Sequence, residues 1–168
     1  MAMGCMHTIH RDHHHFGWDN AHAPAMTVAP GETVYLETVD SSGGQLNAMS
    51  TLTDLAALDF GKVNPVTGPI AIDGARPGDA VKVTLLGFEP SGWGWTALIP
   101  GFGLLTDQFP DPALHIWSYD RDKLGTSAYG PGGRVPLKPF VGTLGLAPAE
   151  AGLHSVVPPR RVGGNMDI

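Results

Sequence analysis

Six of the eight histidines fall within the first 22 residues, and three of them are consecutive, His13-His14-His15. Neutral imidazole is a common ligand of zinc and other transition metals, and a carboxylate can complete such a set. Consecutive residues of a strand point to opposite faces, so either His13 with His15, or His14 alone, can serve one site. The spacing is not that of a helical H-x-x-x-H zinc motif. A solvated cluster, or histidines that simply close strands, would need no function at all.

Three further stretches place polar groups on constrained backbone. Asn64-Pro65-Val66-Thr67-Gly68-Pro69-Ile70 surrounds a polar pair with two prolines and a glycine. Such a rigid loop can aim an amide or a backbone N–H at a ligand, as oxyanion stabilisation requires; as a plain turn between strands it needs no ligand. Pro100-Gly101-Phe102-Gly103-Leu104-Leu105-Thr106-Asp107 permits close backbone approach through its glycines but lacks the phosphate-loop pattern. Gly163-Gly164-Asn165-Met166-Asp167 presents two oxygen-bearing side chains at i and i+2, which share a face of a strand. That is half of a metal- or water-binding site, since zinc usually takes three protein ligands. No G-x-S-x-G elbow occurs, and the single cysteine, Cys5, has no shaped context and is expected to be inert. If the chain is an enzyme, a metal- or carboxylate-activated water is favoured over a Ser or Cys nucleophile.

The elements that must position these residues read as strands. Thr33–Val39 follows Met26-Thr27-Val28 and the turn at Pro30-Gly31-Glu32, and Val81–Leu86 follows Pro77-Gly78-Asp79. In both places Pro-Gly suits the central positions of a type II turn, and the runs that follow alternate in polarity. His115–Tyr119 and Thr143–Leu146 read as further strands, Pro90–Pro112 as a long structured loop, and Thr53–Leu58 as one short helix that Thr53 could cap. With 23 glycines and 15 prolines interleaved among β-branched and aromatic runs, the fold is expected to be all-β, a sandwich or barrel with few short helices.

Composition narrows the partners. Ten Lys and Arg against 16 Asp and Glu give a net charge of −6, with no basic run longer than Arg160-Arg161. Nucleic acid and anionic membrane surfaces, which need clustered positive charge, are therefore not expected partners. Neither a secretory leader nor a span of ~20 apolar residues is evident, so a cytoplasmic location is expected. One cysteine allows no internal disulfide. Charged residues make up only 15% of the chain against 42% hydrophobic ones, which fits a surface partly covered by a partner. At 168 residues the chain suits one domain, 1–168. Its last residues, Val162–Ile168, read as an ordered segment that is interrupted.

Taken in order, Phe16-Gly17-Trp18-Asp19-Asn20, Pro30-Gly31-Glu32-Thr33-Val34, Gly43-Gly44-Gln45, Asn64–Ile70, Ala75-Arg76-Pro77-Gly78-Asp79, Pro100-Gly101-Phe102-Gly103 and Gly163–Asp167 resemble the N-terminal half of the acetamidase/formamidase family. The resemblance implies a β-rich sandwich, hydrolysis of a small linear or cyclic amide, and an oligomer. It implies zinc, with calcium as the alternative, held by His14, His15 and Asp167. Asp167 and Asn165 are implied at the catalytic centre, and Trp18, Asn64, Thr67 and Phe102 against the substrate. Family members continue into a second half with a further His and a Gly-Asp-Gly-Glu segment. The resemblance therefore implies a site completed by a complementary C-terminal fragment, or by a second copy of the chain. A non-catalytic β-sandwich fragment or assembly subunit is the competing reading.

Overall fold

In the computed structural model, which describes residues 6–165, both Pro-Gly turns form as the sequence predicts. Gly31 and Gly78 take φ of 90° and 100°, the left-handed value that the third position of a type II turn demands. Each turn closes with a backbone bond, Glu32 N–H to the Ala29 carbonyl at 3.2 Å and Asp79 N–H to the Arg76 carbonyl at 3.0 Å. Each acidic side chain then reaches back: Glu32 Oε2 accepts from Ala29 N–H at 2.7 Å, and Asp79 Oδ2 accepts from Arg76 N–H at 2.8 Å.

The chain divides into two compact units. The first comprises Met1–Gly43, Gly61–Leu85 and Val141–Ile168; the second comprises Gly44–Phe60 and Leu86–Phe140. In the first unit β1 (Met6–Ile9) runs parallel to β4 (Thr33–Leu36), and β3 (Met26–Val28) runs parallel to β6 (Ile70–Ile72). β2 (His14–Phe16) pairs antiparallel with β5 (Pro65–Thr67), and β11 (Thr143–Gly145) antiparallel with β12 (Gly163–Asn165). Ile9, Trp18, Val28 and Val156 form its apolar interior. Trp18 is 5% exposed, its ring lies against Gly145, and a Cβ added there would sit 2.8 Å from the indole. Paired backbone bonds tie Trp18 to His154, N–H to carbonyl at 2.7 Å and 2.9 Å in the two directions.

The second unit contains α1 (Leu52–Ala56) and two antiparallel ladders. β7 (Trp93–Leu98) pairs with β8 (Ala113–Ser118), and β9 (Thr126–Tyr129) with β10 (Gly133–Pro136). Leu46 and Leu55 are buried here, and the rings of Trp117 and Tyr129 stack while His115 meets both edge-on, with ring centroids 4.4–5.3 Å apart.

The all-β expectation holds, since strands dominate and helix is confined to one short α-helix and one 3-10 turn, Phe60–Lys62, among the described residues. Three local expectations change. Pro90–Pro112 is not one loop, because Trp93–Leu98 finds a partner in β8. The helix is capped by Thr51 rather than Thr53: Asp54 Oδ2 accepts from Thr51 N–H at 2.7 Å and from its hydroxyl at 3.0 Å, so the helix starts two residues earlier. Val81–Leu86 forms no strand. A strand is made by its ladder, and among the described residues none pairs with this run.

Candidate functional site

The β2–β5 ladder brings the histidine run and the Asn64–Ile70 loop together. His14 lies opposite Thr67, His15 opposite Val66 and Phe16 opposite Pro65. Gly68 N–H donates to the His13 carbonyl at 3.0 Å, and Ala25 N–H to the Pro69 carbonyl at 2.8 Å, so both sides of the loop are anchored. The result is an open groove of about 370 Å³ whose polar lining is Asp12, His13, His14, His15 and His22, with Pro69 also lining it.

The imidazoles are oriented from behind. His14 Nδ1 lies 2.6 Å from the Arg11 carbonyl and His15 Nδ1 lies 2.7 Å from the Gly17 carbonyl. A carbonyl only accepts, so in each neutral ring the proton sits on Nδ1 and the Nε2 lone pair is left available. The His22 ring packs on that of His15 with centroids 4.3 Å apart. Burial pushes the His15 imidazole below the ordinary histidine value, against the opposing pull of the Gly17 carbonyl, with His22 and His14 adding to the downward push. Burial thus favours the neutral form of His15, whose Nε2 is the nitrogen not bonded to the Gly17 carbonyl.

His22 belongs to the histidine-rich N-terminal stretch, but its spacing from His15 gives it no evident role in the sequence. It reaches His15 because Asp19 reverses the chain: Asp19 Oδ1 accepts from Ala21 N–H at 2.9 Å, and His22 N–H bonds the Asp19 carbonyl at 3.3 Å. An Asp followed by a short polar stretch is the signal for such a turn. The His22 Nε2 atom is shielded from solvent and has no hydrogen-bond partner among the described residues.

The other predicted residues are placed separately. Asn64 adopts φ of 52° and its N–H donates to the Ser41 carbonyl at 2.8 Å. The Thr67 hydroxyl donates to the Glu37 carbonyl at 3.1 Å, so its side chain is engaged within the fold. Trp18 belongs to the interior of the first unit. Phe102 belongs to the second unit, where it is 62% exposed with its ring 5.8 Å from that of Phe60. Asn165 contributes its backbone to β12 opposite Thr143. Asp167 and Cys5 lie outside the described residues.

Zinc was expected on His14, His15 and Asp167. The bonded Nδ1 atoms of the two histidines suit metal ligands, whose second nitrogen is usually held in this way. Yet among the described residues no three His, Cys, Asp or Glu side chains gather closely enough to hold a metal ion. His14 and His15 are two of the three expected ligands, and the third, Asp167, lies outside the described residues. Among the same residues no helix is long and apolar enough to cross a membrane.

The sequence profile of the Acetamidase/Formamidase family matches residues 5–156. The chain is 36% identical over 98 residues to a formamidase of Methylophilus methylotrophus, covering 55% of this chain and 24% of that protein. It is 30% identical over 148 residues to an acetamidase of Mycolicibacterium smegmatis, covering 80% of this chain and 36% of that one. Among solved structures, a predicted acetamidase/formamidase from Thermoanaerobacter tengcongensis superposes with a TM-score of 0.86 at 30% identity, over 98% of this chain and 52% of that one. An acetamidase from Bacillus halodurans superposes with a TM-score of 0.76 at 28% identity, over 95% of this chain and 52% of that one. The chain therefore spans about half the length of these solved relatives, and about a quarter to a third of the curated ones. With the profile covering most of its length, the chain belongs to the acetamidase/formamidase family.

Proposed function

We propose that this chain carries part of the active site of an amidohydrolase that converts a small linear or cyclic amide and water to a carboxylic acid and ammonia, or to an amino acid when the amide is a lactam. The family match over residues 5–156 carries this reading. The β2 groove is the part supplied here. His15, neutral and fixed through Nδ1, would accept through Nε2 the proton of the attacking water, a role that suits an imidazole held uncharged near neutral pH. Water oxygen bonds to the amide carbonyl carbon, the C–N bond breaks, and the accepted proton passes to the departing nitrogen. The remaining groups of the site, with Asp167 and Asn165 on this side, would come from polypeptide matching the other half of the solved relatives. Any zinc or calcium would draw on the same source.

Ammonia release from formamide and acetamide, and amino-acid formation from a γ-lactam, test this, using the chain alone and mixed with the unmatched half of the T. tengcongensis relative. Release is expected in the mixture only, with His15→Ala slowing it by about 100-fold or more. Release by the chain alone, unchanged by His15→Ala and by Asp167→Ala, would remove the site assignment.

A further inference from the structure

Val81-Lys82-Val83-Thr84-Leu85 has every local attribute of a strand and no ladder. It follows a formed type II turn, and neither turn nor bend interrupts residues 79–91. Alternation sets Val81, Val83 and Leu85 on one side, yet they are 37%, 53% and 53% exposed. Among the described residues, the backbone N–H and carbonyl groups of residues 80–85 make no hydrogen bond. A row of unpaired backbone groups flanked by β-branched side chains is a template for strand addition.

We infer that residues 80–85 of the first unit are a docking edge for a β-strand, supplied by polypeptide equivalent to the half of the solved relatives that this chain does not match. Those relatives retain nearly this whole backbone inside a chain about twice as long, since the match covers 95–98% of this chain and 52% of theirs. As much polypeptide again is thus available around the same fold, and an edge of six residues matches the usual strand length of about 5–6. The inference rests on the functional reading only in taking its occupant from the acetamidase/formamidase family.

Hydrogen exchange on the full chain, alone and with the unmatched half of the T. tengcongensis relative as probe, tests it. Alternate amides between residues 80 and 85 should exchange at near-unprotected rates in the chain alone and slow by about 100-fold or more with the probe. Val83→Pro removes a ladder donor at an exposed position; it should abolish that protection while exchange in β1 and β4 stays unchanged. Three results would overturn the inference: no protection anywhere on adding the probe, protection that spares residues 80–85, or protection in the chain alone that rises with its concentration, which would make the occupant a second copy. Ammonia release in the same mixtures separates the two readings. Protection without release removes the amidohydrolase proposal and leaves the edge; release without protection does the reverse.

Discussion

Two Pro-Gly-acid turns launch two similar runs, and only one becomes a strand. The turns match in every local respect: left-handed glycine, closing backbone bond and carboxylate capped onto the preceding N–H. Beyond Glu32, the run meets β1 in a parallel ladder from Met6↔Thr33 to Ile9↔Leu36. His7 Nε2 lies 3.2 Å from Glu32 Oε2, and Ile9 ends up 1% exposed. Beyond Asp79 no strand among the described residues arrives, and Val83 stays 53% exposed. Turn chemistry sets where a strand begins. A neighbour decides whether it exists.

The largest expected contrast comes from truncating one apolar residue in each region. Ile9→Ala should lower stability by about 2–5 kcal/mol, because a buried side chain leaves both lost transfer energy and a cavity. Val83→Ala in the isolated chain should stay within about 0.5 kcal/mol, as exposed substitutions do. Urea denaturation of both variants measures the difference, and equal losses would break the comparison.

A smaller contrast sits in the turns. No neighbouring atom would touch a Cβ at either glycine, so only the positive φ resists substitution. Gly31→Ala should cost about 1–2 kcal/mol, the penalty for a side chain in left-handed backbone. Gly78→Ala should cost less in the same urea titration, since the run behind it can relax without breaking a ladder. Equal costs would mean that residues 80–85 are held in place by contacts of their own.

The smallest effect is electrostatic. The Ala29 N–H, and then His7, hold the Glu32 carboxyl below its ordinary range. A carboxyl whose folded pKa is depressed stabilises the fold above its unfolded value, ~4.3 for glutamate, and that contribution is lost as pH falls through the lower folded value. Glu32→Gln should therefore flatten the acid limb of the stability profile below about pH 4.3 and leave the neutral region nearly unchanged. Urea midpoints at a series of pH values check this; an unaltered acid limb would show that the Glu32 turn has no electrostatic advantage.

Much of the fold was legible in residue type and spacing. The type II turns, the strand after Glu32 and the run around His115 all follow from local pattern, because turn geometry and polarity alternation are encoded within a few residues. Trp93–Leu98 was hidden because Gly94, with Gly92 just before it, resembles loop composition until β8 lies beside the strand. The candidate site was half legible. The histidine run and the Asn64–Ile70 loop stood out separately, but their meeting along the β2–β5 ladder joins residues about 50 apart in sequence, and no local pattern contains it. The role of His22 was not legible because it depends on a turn that folds its ring onto His15.

By itself, the sequence determined the family, the all-β class and the two Pro-Gly turns, since each depends on residues close together in the chain. The tertiary structure decided which histidines share a groove, why Trp18 needs Gly145 beside it, and that Val81–Leu85 stands without a ladder. These depend on which segments come into contact. Hydrogen-bonded pairing and burial are properties of two surfaces, and neither surface can specify them alone.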